Sequence, residues 1–201
     1  MQKQKPEIEA IILEKAELEF YQFGFEKASL RRIIKAAGVS IGNFYNYFES
    51  KTDLFGRIVK NENVGFSKFL NEHESVENPL EIIQRINSEN IKEIIGSVIR
   101  KIMPGFSRKF VILAEAGKGS GYEHARQQIL YSIIDHLTEH YQTMNIAQDA
   151  KYTKLLATQF LDGMISIIKA NIDNKEKRDE QLSDFFLFYF SGVMGLIGYK
   201  I

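Results

Sequence analysis

Apolar residues recur at spacings of three and four along most of this chain. Ile8, Ile12, Ala16 and Phe20 fall at four-residue steps and predict a helix over 7–23, closed by Gly24. Leu30, Ile33, Ile34 and Ala37 form a second, shorter stripe. Ser29 is suited to cap its start, and Gly38 to end it in the left-handed conformation. Val39 is apolar and stands in the turn, where it fills the angle between two helices. Ser40 caps the next element, over 41–48, in which Phe44 and Phe48 share a face with Ile41 on its flank, so all three are expected in the core. A fourth stripe starts near Lys51 and continues through Leu54, Ile58, Phe66 and Phe69, with no Gly/Ser/Pro-rich linker before it.

After a break at 73–78, Pro79 suits the first position of a helix reaching Met103, which Pro104-Gly105 ends. Further helices are expected over 107–116, 122–144, 150–172 and 179–199, with Gly117-Lys118-Gly119-Ser120-Gly121 as a hard stop between the first two. Prolines number only 3, and strand-like alternation is scarce. The fold class expected is all-α: an N-terminal three-helix domain over 1–60, and a larger helical domain over 61–201. Two short helices joined by a glycine turn have the layout of a helix-turn-helix DNA reader.

The polar positions of 29–54 support that reading. Opposite Phe44 and Phe48 lie Gly42, Asn43 and Asn46, with Tyr45 and Tyr47 on the shoulders. Such a face is small and nearly uncharged, as insertion into a major groove requires. Asn pairs bidentately with adenine, and Gly42 lets the backbone approach closely. Arg31 and Arg32 stand in the first turn of their helix, and Lys51 just after Ser50. Cations there oppose the helix dipole, an arrangement that makes sense if phosphates sit at the helix starts. From Lys27 to Lys51 the basic residues Lys27, Arg31, Arg32, Lys35 and Lys51 face a single acid, Glu49, while the whole chain balances 26 basic against 26 acidic residues. Positive charge is thus concentrated where DNA would lie.

The run Ala37-Gly38-Val39-Ser40, Gly42, Phe44-Tyr45, Tyr47-Phe48, Ser50-Lys51 and Leu54 resembles the TetR family of bacterial one-component transcriptional regulators. Phe20 to Ser29 looks like the end of that family's first helix and the loop after it. The resemblance covers residues 8–60. It implies that Tyr45, Tyr47 and Lys51 contact phosphates or base edges, that Ser29 contacts backbone phosphate, and that Gly42 allows close approach. Ile41 departs from the pattern, standing where many members carry a basic or small polar residue. It is left either to pack or to touch a thymine methyl.

Composition narrows the rest. There are no cysteines, which excludes disulfides and thiolate metal sites and fits a reducing cytoplasm. No signal peptide is visible, and the apolar stretch 185–199 is shorter than the roughly 20 residues a spanning helix needs. The basic residues before the first helix admit two readings, a DNA contact or a tail with no role.

Over 185–199 apolar residues occur all round the helix, so it must be covered on every side, yet no later element follows. Ser191, Gly195 and Gly198 make a small-residue seam beside Phe188. With Phe160, Met164 and Ile167 of the preceding helix they predict a homodimer built on a four-helix interface, which the resemblance also implies. Two reader helices related by a two-fold axis would engage a palindromic DNA operator. A small effector of apolar or aromatic character is expected among Phe66, Phe69, Met103, Phe106, Phe110, Tyr122, Phe160 and Met164, with Gln159 as a polar handle. The expected protein is a cytoplasmic, ligand-responsive regulator, in the first instance a repressor, with no cofactor, no metal and no catalysis. The rival is a helical metal-binding or hydrolytic protein using His136, Glu139 and His140, whose H-x-x-E-H order matches inverted zinc proteases but lacks a third ligand. The glycine run at 117–121 lacks the spacing and the preceding strand of a phosphate loop.

Overall fold

The computed structural model describes residues 5–72, 106–143, 145–147 and 149–196. Among these the chain forms helices and no strand. They are α1 (Pro6–Lys27), α2 (Leu30–Ala37), α3 (Ile41–Phe44), α4 (Lys51–Glu72), α5 (Arg108–Glu115), α6 (Ala125–Thr143), α7 (Ala150–Ala170) and α8 (Lys175–Leu196). The fold is all-α, as the periodicity predicts. The helix expected over 79–103, Met103 and Gly198 lie outside the described residues, as do the side chains of Phe66 and Phe69. By contact, the described residues fall into two compact units, one within Met1–Val64 and Arg108–Arg126, the other within Gly65–Ser107 and Gln127–Ile201.

In the first unit α1 supplies the spine. Ile12, Ala16 and Phe20 are fully buried on one stripe. Gly24 breaks the helical conformation with φ 68°, and one further turn carries Phe25 inward. Phe20, Phe25 and Phe55 of α4 form a ring cluster, with centroids 5.0–6.0 Å apart. The amide of Phe25 donates to the carbonyl of Ala116 at 2.9 Å, tying the end of α1 to the residue after α5. In α5, Phe110 to Ala114 are buried in succession, and α1 packs against this helix. Tyr122, beyond the glycine run, lays its ring 5.8 Å from that of Phe55.

Two expectations need correction here. The regular part of α3 is only Ile41–Phe44, not 41–48. The amides of Asn46 and Tyr47 turn to carbonyls three residues back, Asn43 and Phe44, so the helix tightens before Phe48. Phe44 and Phe48 still stack inside, with centroids 5.4 Å apart. Ile41, expected on the core flank, is 53% exposed. The tightened turn buries Tyr47 alongside the two phenylalanines, and Ile41 is left outside.

In the second unit α7 packs on α8. Thr153, Ala157, Leu161, Met164, Ile165 and Ile168 form the buried stripe of α7, and Leu182 of α8 is fully buried. Phe160 stacks on Phe185 at 5.6 Å and meets Phe186 and Tyr189 edge-on, each at 5.1 Å. Buried Asn171 closes the turn between the helices, its amide donating to Gln181 at 2.8 Å. The last helix starts at Lys175 rather than 179, because the side chain of Asn174 accepts the amide of Lys177 at 3.0 Å and caps it.

Candidate nucleic-acid interface

The helix-turn-helix is built from local contacts that the sequence announces. Ser29 accepts the amide of Arg32 at 3.4 Å. Gly38 ends α2 with φ 68° and ψ 26°, the left-handed cap. Ser40 accepts the amide of Asn43 at 3.1 Å and starts α3. Asp53 repeats the device in reverse at the start of α4, accepting the amide of Glu49 at 3.0 Å while its own amide donates to Ser50.

A longer-range contact, not foreseen, sets how α2 meets α1. Glu19 of α1 is only 9% exposed. One of its oxygens accepts the Ser29 amide at 2.7 Å and the Arg32 Nε at 2.8 Å. Arg32 also donates to the carbonyl of Lys27 at 3.0 Å and covers the Phe23 ring. The hydrogen bond to Glu19 raises the Arg32 pKa above its ordinary value. Glu19 was detectable in the sequence only as an acid beside Phe20, on the inward stripe of α1.

Lys51 has a comparable place. Its Nζ donates to the carbonyls of Phe25 at 2.8 Å and Ala28 at 3.2 Å and lies 4.4 Å from the Phe25 ring centroid. It therefore clamps the start of α4 to the end of α1. Arg32 and Lys51, though cations at helix starts, thus meet carboxylate and carbonyl oxygens of the protein itself. Arg31 is different. It is exposed, with no ion pair among the described residues.

Tyr47 turns inward. It is 7% exposed, and its hydroxyl accepts the amide of Lys5 at 2.9 Å, fixing the start of α1. Tyr45 turns outward, 55% exposed, with its ring edge against Phe44. Gly42 and Asn46 are exposed and Asn43 is half-buried. Open space surrounds Gly42 on the side where a Cβ would stand. The outward surface of α3 and the turn after it thus carries Ile41, Gly42, Tyr45 and Asn46, with exposed Arg31 and Lys35 on α2.

The other predicted sites are more scattered. Phe110 and Tyr122 belong to the first unit; Phe106, Gln159, Phe160 and Met164 belong to the second. Tyr122 packs against α4, where its hydroxyl comes within 3.4 Å of the place a Cβ on Gly56 would take. Gln159 is exposed and offers no inward polar handle. Of the residues assigned to a dimer interface, Met164 is fully buried in its own unit, while Phe160, Ile167 and Ser191 are half-buried and Gly195 is exposed. Phe188 stands out at 73% exposure. His136 and His140 lie one turn apart on α6 with Nε2 atoms 2.9 Å apart. Among the described residues no three His, Cys, Asp or Glu side chains converge on one point, with or without Glu139. No described helix is long and apolar enough to cross a membrane.

An all-α chain with a capped, glycine-turned helix pair and an exposed second helix defines the class of helix-turn-helix DNA-binding proteins. Residues 12–58 match the family described as bacterial regulatory proteins, tetR family. The match is confined to this stretch, which carries the helix-turn-helix, and makes it similar to the bacterial regulatory proteins of that family. Solved structures repeat the fold over nearly the whole chain. A TetR-like transcriptional regulator from Rhodococcus sp. RHA1 has a TM-score of 0.57 at 16% identity, covering 96% of this chain and 100% of that one. A regulator assigned to fatty acid metabolism in Clostridium perfringens has a TM-score of 0.55 at 19% identity, over 89% and 97%. A TerR/AcrR-family regulator from Aquifex aeolicus VF5 has a TM-score of 0.51 at 16% identity, over 88% and 96%. At such identities the likeness is one of fold. No curated protein matches the chain.

Proposed function

We propose that this chain is a cytoplasmic, dimeric repressor that binds a palindromic operator and releases it when a small apolar or aromatic effector binds. Residues 1–60 are assigned to DNA and 61–201 to effector and dimer. The observation that carries the reading is the outward face of α3. Ile41, Gly42, Tyr45 and Asn46 are displayed, while caps and the Glu19 and Lys51 clamps hold the backbone beneath them. This divides the sequence-derived contact set. Ser29, Arg31, Gly42, Asn43, Tyr45 and Asn46 touch DNA; Arg32, Tyr47 and Lys51 hold the frame.

The exposed ring of Phe188 supports a dimer through α8, since a large aromatic at that exposure gains most from a partner surface. Phe106, Phe160, Phe185, Phe186 and Tyr189 form an aromatic group in the second unit that suits an apolar or aromatic effector. A hundredfold loss of operator affinity requires a coupling of about 2.8 kcal/mol, within the range common for allostery.

Footprinting the DNA upstream of the chain's own gene tests the proposal. A protected two-fold site whose strength falls steeply with salt is expected. In the same assay Arg31→Ala should reduce the slope of log affinity against log salt by about 1. An unaltered slope would remove Arg31 from the phosphate contacts, and salt-independent binding would remove the whole interface.

A further inference from the structure

Ile41 is the residue of the reader face that neither packing nor charge explains. It opens α3, directly after the capping Ser40, and keeps 53% of its surface exposed although Phe44, Tyr47 and Phe48 beside it are buried. Its backbone is fixed: Ser40 accepts the Asn43 amide, and the Ile41 carbonyl accepts the Tyr45 amide at 3.3 Å. One turn on, Tyr45 is 55% exposed, its ring held against Phe44 at 5.2 Å. Ile41 and Tyr45 therefore stand on one side of the helix as an apolar ridge, with Gly42 open beside it.

Resting on the proposed function above, we propose that Ile41 is a specificity-determining residue that reads the C5-methyl group of a thymine in each half-site. On the major-groove edge of the four base pairs the thymine methyl is the one bulky apolar group, set among hydrogen-bond donors and acceptors and the small C5–H of cytosine. A β-branched hydrocarbon has nothing to offer those donors and acceptors, or a phosphate. Against a methyl it loses water on both sides without leaving a polar group unpaired. Asn46 and Tyr45 supply hydrogen bonds on the same face, so the contact adds preference at one base pair rather than the bulk of affinity.

The test uses the full chain and the duplex it selects from a random library. In that duplex each thymine is replaced in turn by deoxyuridine, which removes the methyl and nothing else. Affinity should fall about four-fold per half-site at one symmetric pair of positions and stay unchanged elsewhere, the effect of one methyl buried against apolar surface. Ile41→Ala, at an exposed helical position where folding is not at stake, should bind the thymine duplex correspondingly less well and lose its sensitivity to deoxyuridine there. A flat deoxyuridine scan with the native chain overturns the inference and leaves the DNA-binding function standing. So does an Ile41→Ala variant that keeps the native sensitivity. A chain that selects no duplex overturns both, and a protein partner that Ile41→Ala releases would then account for the ridge.

Discussion

The helix-turn-helix and the α7–α8 pair are both helical, yet different forces hold them. In the first, polar groups and backbone conformation set the geometry: Ser29, Ser40 and Asp53 cap, and Glu19 and Lys51 gather amides and carbonyls from neighbouring helices. In the second, rings fill space: Phe160, Phe185 and Tyr189 lie on one another. Two glycines show the difference. Gly38 has φ 68° and no atom near the place of a Cβ, so its constraint is conformational. Gly163 shows no positive φ, and a Cβ there would run into the ring of Phe185, so its constraint is space. Directional contacts suit a surface that must present side chains to a regular lattice of phosphates and bases. Close ring packing suits a body whose shape, rather than whose display of groups, carries its role.

That contrast can be broken at several points. The largest effect is expected at the spine of the reader. Phe20→Ala should lower stability by about 4 kcal/mol in denaturant titration, because Phe20 is fully buried among rings. Glu19→Ala should follow at about 2 kcal/mol, mainly through the Ser29 amide left without an acceptor; exposed Arg32 adds little. Its sharper signature is hydrogen exchange, where α2 should lose protection before α1. Gly163→Ala should cost about 1.5 kcal/mol by overpacking. Gly38→Ala should cost about 1 kcal/mol by strain. Asparagine separates the two cases. Gly38→Asn should recover part of the loss, because Asn tolerates the left-handed region, whereas Gly163→Asn should be worse than Gly163→Ala. Equal responses at the two positions would dissolve the distinction.

The reader was legible in the sequence to the extent that it is local. Ser29, Gly38 and Ser40 act on residues three or four positions away, and each occupies the role its type predicts. What stayed hidden depends on distance along the chain. Glu19 meets groups on the far side of a kink that only the fold brings back, and Lys51 reaches carbonyls at residues 25 and 28. Those partners explain two cations that looked misplaced when only the helix dipole was considered. The length of α3 was hidden for a related reason. Its tightening at Asn46 and Tyr47 accompanies the burial of Tyr47 against the start of α1. A stripe of consecutive apolar residues such as Phe110 to Ala114 says that a helix is covered, not that α1 is what covers it.

The central claim is that the displayed face of α3 reads DNA. Selecting duplexes from a random library with the purified full chain tests it most directly. The account predicts an enriched two-fold motif with half-sites one helical turn, about 10 base pairs, or a multiple of it apart. It also predicts that Asn46→Ala relaxes the preference at one symmetric pair of positions within that motif. A library that emerges with no enriched motif would contradict it.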